Sequence, residues 1–267
     1  FAHGEILMLG AYAGYFLYYF LCEGSQTGGF AIIAFVISLI FAMLISSFLG
    51  VIIERIAYRP LRKAPRLAPL LSAIGVSIIL MNLAALFFGT KSRKFDYPFD
   101  NTALQLGNIS VTPNQIMILI VGIILMASLK LFIDKTRLGK AMRATSQNQA
   151  VASLMGINVN FIISLTFAIG SALAAVAGIF MSMEFKLYPT MGQMAGLKAF
   201  IAAVVGGIGN ISGAMLGGIL LGLLETFGVV IIGIPQGLKD TIAFSVLIII
   251  LLFRPSGLLM KNIREKV

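Results

Sequence analysis

Side chains able to do chemistry are scarce in this chain. One histidine, His3, and one cysteine, Cys22, occur in 267 residues, too few for a His/Cys zinc or iron set or an internal disulfide. No Gly-x-x-x-x-Gly-Lys-Ser/Thr loop is present, so the chain has no phosphate cradle of its own for ATP. What remain are carboxylates set in apolar runs. Glu225 stands deep in the run 216–232, where a charge costs ~2.5–3.5 kcal/mol on insertion scales and has to be neutral, paired or wet. Lining a solute route and accepting from a neighbouring helix fit it equally. His3, Gly4 and Glu5 open the first run; an interfacial position is their plain reading, weakened if a helix precedes them. Glu54, Lys198, Lys239 and Asp240 fall near the ends of apolar runs and read as interfacial.

Small residues recur every fourth position at Gly10/Gly14, Gly170/Ala174/Gly178, Gly209/Gly213/Gly217 and Gly218/Gly222. Between membrane helices, a face stripped of side chains lets backbones approach and gain dispersion contacts. Packing within the subunit is the first reading of these stripes.

The elements that position these residues are membrane helices. Hydrophobic residues make up 59% and charged residues 11%, against about 25% charged in soluble domains. With a mean hydropathy of +0.99, lipid has to be the solvent for most of the exterior. The formal charge of +10 invites a nucleic-acid reading, but 14 of the 20 Lys and Arg lie in 55–66, 130–143 and 254–266. Basic clusters at the ends of apolar runs mark cytoplasmic loops, which excludes nucleic acid as the partner.

Spans of about 20 residues are needed to cross ~30 Å of hydrocarbon. Apolar runs predict helices at 5–22, 30–53, 69–88, 113–133, 158–183, 211–232 and 239–254, with a shorter piece at 197–208. The expected fold is an all-α polytopic membrane bundle of about eight segments, one of them short or broken. Uniformly apolar stretches such as 116–124 exclude an alternating β-barrel strand. Segments 54–68, 134–157 and 255–267 are expected in the cytoplasm and 89–112 outside. The three cations of the outer loop, Lys91, Arg93 and Lys94, run against the charge rule, which long loops obey less strictly. The piece 197–208 reads either as a re-entrant leg or as half of a tight hairpin turning at 206–210.

Residues 134–157 differ from both a span and a plain loop. Leu138, Ala141, Met142, Ala152 and Met155 share one side of a helical wheel, with Lys140, Arg143, Gln147 and Asn148 supplying a polar side. Such a segment lies on a membrane surface or docks into a partner's groove.

The strings LGKAMRATSQNQAVASLMGINVN, IGSALAAVAGI, GLKAFIAAVVGGIGNISGAMLGGILLGLLE and LLFRPSGLL, in that order after an opening FAHGEILMLGAYAG, resemble the permease subunits of bacterial branched-chain amino acid ABC importers. The likeness runs nearly end to end. It implies one permease domain over 1–267 in the bacterial inner membrane, with a further N-terminal helix before it. It also implies a second related permease, two cytoplasmic ATPase subunits that hold ATP and magnesium, and an extracytoplasmic substrate-binding protein. No cofactor is expected in this chain, and it is not expected to be an enzyme. Residues 134–157 become the coupling loop, in which Gly139, Arg143, Ala144, Ala152 and Gly156 match position by position. Asn148 stands where many relatives have an acid, which puts a salt bridge there in question. Alternating access driven by the ATPases is the implied mechanism. An ion-coupled secondary transporter, using Glu225 as its titratable group, and an amide or urea permease are the alternatives.

Overall fold

The computed structural model describes residues 2–22, 29–65, 67–96, 102, 104–106, 109–231, 233, 235–254 and 256–259. Most of 255–267, placed in the cytoplasm by its charge, lies outside them. The expected spans form as helices: α1 (Ala2–Leu21), α2 (Gly29–Ile53), α3 (Leu67–Phe88), α4 (Pro113–Lys135), α7 (Val159–Phe185), α9 (Ile211–Val230) and α10 (Lys239–Phe253). Between α4 and α7 come two short helices, α5 (Arg137–Gln147) and α6 (Gln149–Leu154). Five of the helices are long and apolar enough to cross a membrane. The protein is a polytopic helical membrane bundle.

Two departures from expectation stand out. The short piece 197–208 is instead α8 (Met191–Gly206), 16 residues long, or about 24 Å at 1.5 Å per residue. Five residues separate it from α7, and the first of them, Lys186, has φ 79°. A two-stranded hairpin, β1 (Leu104–Leu106) with β2 (Ile109–Val111), also interrupts the otherwise helical chain in the 89–112 loop.

Helix boundaries are set by side-chain caps. Thr112 makes a reciprocal capping box with Gln115 ahead of Pro113, and Thr136, Asn148, Asn158 and Asn210 cap α5, α6, α7 and α9. Each accepts from an N–H that has no partner inside its own helix.

The chain divides into two compact units, 1–194 and 195–267. In the first, α1, α2 and α7 pack along one another through the small-residue stripes. A Cβ on Gly10 would press on Ala175 and Ser46, one on Gly50 on Ser171, and one on Gly178 on the Leu7 carbonyl. At one end Tyr18, Phe35, Phe180 and the fully buried Phe95 form an aromatic cluster. Phe95 comes from the 89–112 loop, which is tied down beside it. Arg93 and Leu187 exchange backbone hydrogen bonds at 2.8 and 2.7 Å, and the Arg93 guanidinium lies 4.9 Å from the Phe16 ring centre. A cation engaged in this way is a packing residue, which explains one exception to the charge rule.

In the second unit, Ile201, Val205, Leu221 and Ala243 form the core. Of the 209/213/217 stripe, Gly213 and Gly217 face α8: a Cβ on Gly213 would strike the Gly206 carbonyl and one on Gly217 the Ala202 carbonyl, while Gly209 and Gly222 have open space around them. Gly209 has φ 90° in the turn between the helices, a conformation that costs glycine little. The amides of Leu258 and Leu259 bond the carbonyls of Val205 and Gly206 at 2.9 and 3.3 Å, and Asn210 Nδ2 donates to Leu259 O at 3.2 Å. The segment after α10 thus satisfies carbonyls at the end of α8. Gly217→Leu is expected to destabilise the protein by about 3 kcal/mol, the upper range for overpacking, whereas Gly222→Leu changes stability little. Thermal unfolding of the purified variants in detergent checks this; equal effects would place both faces toward lipid.

Candidate functional site

Three groups of polar residues carry the functional interest, and the first is α5–α6. The single amphipathic stretch read over 134–157 is two helices, broken because Asn148 accepts from the Ala150 and Val151 amides at 2.9 and 3.1 Å. Asn148 is thus the N-cap of α6, a position that Asn and Asp fill about equally well. Gly139 packs against the backbone of Ile133. Thr136 Oγ1 donates to Phe132 O at 2.6 Å and accepts from Gly139 N at 3.0 Å, fixing the α4–α5 corner. At the far end Gly156, at φ 80°, closes α6 with its N–H on Ser153 O. Ala152 is buried and Ala144 half-buried, while Arg143 is exposed and pairs with Asp134 at 3.2 Å. The wheel's apolar side is covered in part: Ala152 is buried and Ala141 and Met142 are half-buried, but Met155 is 77% exposed, and Leu154 beside it 87%. The pair is thus a capped bracket of two short helices with an apolar tip.

Close by, Glu54 overturns the interfacial reading. It is fully buried in a π-turn (Glu54–Tyr58) that continues α2. Arg62 pairs with it, and Ser164 Oγ donates to its other oxygen at 2.6 Å. Arg62 also donates to Asn160 Oδ1 at 2.7 Å. This clamp ties the turn after α2 to the first turns of α7. The acid and the arginine eight residues on were visible in the sequence, but their partner Ser164 is 110 residues away.

The second group surrounds Glu5, which is also fully buried. Ser77 Oγ donates to Glu5 Oε1 at 3.0 Å; Oε2 is buried with no hydrogen-bond partner among the described residues. Ser77 is ten residues into α3, about 15 Å from its start and so near the middle of a ~30 Å core. His3, half-buried, meets the Phe167 ring edge-on at 5.5 Å and lies against Gly170. Gly4 presents its carbonyl to Gly192 in the first turn of α8. The three N-terminal residues therefore sit at mid-bundle, not at an interface.

The third group is in the second unit. Glu225 is 5% exposed and lies 3.0 Å from Lys198 Nζ on α8 and 3.5 Å from Lys239 Nζ on α10. Lys198 also reaches Asp240 at 2.7 Å. Lys198, Lys239 and Asp240, read as separate interfacial residues, are one network with Glu225. The miss follows from placing the start of α8 at 197, which made Lys198 terminal; it is the eighth residue of the helix. No cluster of His, Cys, Asp or Glu suited to a metal occurs among the described residues.

A polytopic membrane bundle with buried carboxylates and a bracket ending in exposed apolar residues is the build expected of a transport subunit of the permease class. Comparison with known proteins sharpens this. The family described as branched-chain amino acid transport system, permease component, matches residues 1–251. The high-affinity branched-chain amino acid transport system permease protein BraD of Pseudomonas aeruginosa is 42% identical over 275 residues, covering 100% of this chain and 87% of the relative. The corresponding protein LivH of Escherichia coli K12 is 40% identical over 273 residues, with the same coverage. An autoinducer 2 import system permease, LsrC of Photorhabdus laumondii, is 30% identical over 152 residues, covering 54% of this chain and 45% of the relative. No solved structure matches significantly. The chain belongs to the branched-chain amino acid permease family.

Proposed function

We propose that this chain is one permease domain of an ATP-driven importer for branched-chain or related amino acids in the bacterial inner membrane, working by alternating access. The observation that carries the reading is the family match across residues 1–251, with two relatives at 40% identity or more along the whole chain. A second permease, two ATPase subunits carrying ATP and magnesium, and an extracytoplasmic binding protein complete the machine.

In this reading α5–α6 is the coupling element. Gly139 and Gly156 hold its two corners, Asn148 its break, Ala152 and Ala144 its inner side, and Arg143 and the tip its contact with an ATPase. Because α5 also packs on α7, and α7 on α1 and α2, displacement of the bracket reaches the helices around His3, Gly4 and Glu5. Those residues and Glu225 serve the route or its gating, Gly213 and Gly217 provide the close α8–α9 approach, and Gly209 the turn that leads into it.

The test is uptake into proteoliposomes containing the purified permeases and ATPases, with binding protein and radiolabelled leucine. Uptake that needs internal-face ATP and survives collapse of ion gradients supports the reading. Uptake that persists without ATP and fails with the gradient favours a secondary transporter. Sidedness is checked separately with Ser92→Cys, expected to react with an impermeant maleimide from the periplasmic side; labelling from the cytoplasmic side alone overturns the topology. Arg143→Glu is expected to lower uptake at least tenfold with normal membrane levels, since an exposed ion pair contributes only ~0–1 kcal/mol to stability. Unchanged uptake and ATPase association would remove Arg143 from the interface.

A further inference from the structure

Beside the Glu54 clamp lies a cavity of about 270 Å³ lined by Arg55, Arg59, Asn158, Asn160, Phe161 and Ser164. Its hydrogen-bonding inventory is one-sided. Asn158 Oδ1 accepts from Phe161 N at 3.1 Å, Asn160 Oδ1 accepts from Arg62, and Ser164 donates to Glu54, the one carboxylate there. Arg62 has already neutralised that carboxylate. What the cavity still offers are donors: the guanidinium groups of Arg55 and Arg59 and the amide nitrogens of the two asparagines.

The two arginines are four residues apart, Arg55 on the π-turn and Arg59 at its C-cap; both are exposed, and neither guanidinium has a hydrogen-bond or ion-pair partner among the described residues. A guanidinium fork matches phosphate oxygens in pairs. The surroundings add a second requirement. The π-turn directly continues the membrane-crossing α2, and Ile56 and Phe161 beside the cavity are 73% and 54% exposed. Donors facing a cavity at the end of a span, with large apolar side chains next to them, suit a phosphate that carries acyl chains.

We infer that Arg55 and Arg59, with Asn158 and Asn160, form a binding site for a phosphate ester at the basic end of the bundle, filled by the headgroup of an anionic phospholipid. The site is independent of which solute the bundle moves. By holding the turn after α2 and the start of α7 from outside, its occupant reinforces the junction that the Glu54–Arg62 clamp holds from inside.

The experiment uses the purified full chain in nanodiscs of phosphatidylcholine with graded phosphatidylglycerol, with retained lipid counted by native mass spectrometry after release into detergent. Near a membrane surface each cation neutralised weakens binding to anionic lipid about fivefold, so Arg55→Gln/Arg59→Gln is expected to lower phosphatidylglycerol retention by roughly 25-fold. Lys91→Gln, on the loop beyond α3, leaves it unchanged. Should the double variant fold poorly, Arg55→Lys/Arg59→Lys keeps the charge and is expected to lose only part of the retention. In a second arm, millimolar inorganic phosphate is added to the wild type and to the double variant. No competition identifies the lipid headgroup. Competition that vanishes in the double variant supports a phosphate site open to soluble esters, and overturns the lipid as its occupant. Retention equal in wild type and both double variants, with no effect of phosphate, overturns the site altogether.

Discussion

Lys198→Met is expected to destabilise the protein by ~2–3 kcal/mol, less than the cost of breaking a fully buried ion pair because the Lys198 side chain is 31% exposed. Lys198 Nζ stands between two carboxylates, 3.0 Å from Glu225 and 2.7 Å from Asp240, and the Glu225 side chain is 7% exposed. Without it, Lys239 at 3.5 Å is the one remaining cation near Glu225 among the described residues. Glu225→Gln is milder, at about 1.5 kcal/mol, because an amide oxygen still accepts and Lys198 keeps Asp240. Lys198→Met/Glu225→Leu, which replaces the pair by apolar side chains, is expected to regain at least ~1 kcal/mol over Lys198→Met alone, since neighbouring groups couple strongly. Thermal unfolding in detergent reads all three. A Lys198→Met variant as stable as the wild type would show the network to be water-supported. The same variants separate the two transport readings. In the importer reading Glu225→Gln retains much of its uptake; in a proton-coupled transporter it abolishes gradient-driven uptake.

How much of this was legible beforehand differs by residue. The long helices were, because runs such as 113–133 and 158–183 are apolar and bounded by Asn, Thr and Pro, whose capping chemistry is local. The start of α8 was not. Met191, Gly192 and Gln193 make a weak apolar signal, and what holds them helical is burial of Met191 among Met8, Ala11 and Tyr12, distant in sequence. The same limit hid the Glu54 and Glu225 networks: each carboxylate was noticed, but its partner lies on another helix, and spacing along one chain says nothing about that. In α5–α6 the sequence misled through periodicity. The wheel assumed one continuous helix, whereas Asn148 resets the phase, and the apolar residues at the end turn outward.

That outward tip carries the other large expected effect. Leu154→Ser/Met155→Ser is expected to leave stability within about 0.5 kcal/mol, as exposed substitutions generally do, because the two side chains are 87% and 77% exposed. Exposure of two large apolar residues next to each other is poorly explained by folding of this chain. It is explained if they fill a pocket on a partner, where truncating an anchor costs 2 kcal/mol or more, or about 30-fold in affinity per residue at 1.4 kcal/mol per tenfold. ATPase subunits should therefore fail to co-purify with the double variant, and leucine uptake should fall by more than tenfold, with the permease still at normal levels in the membrane. Val151→Ser, at 52% exposure on the same short helix, should give a smaller loss, because a side chain half covered by its own protein has less to offer a pocket. A lipid-surface role predicts a different pattern. The double variant would keep its ATPases and its uptake while its membrane-surface contacts weakened, and that outcome would move the coupling contact away from the tip and onto the cationic side of α5.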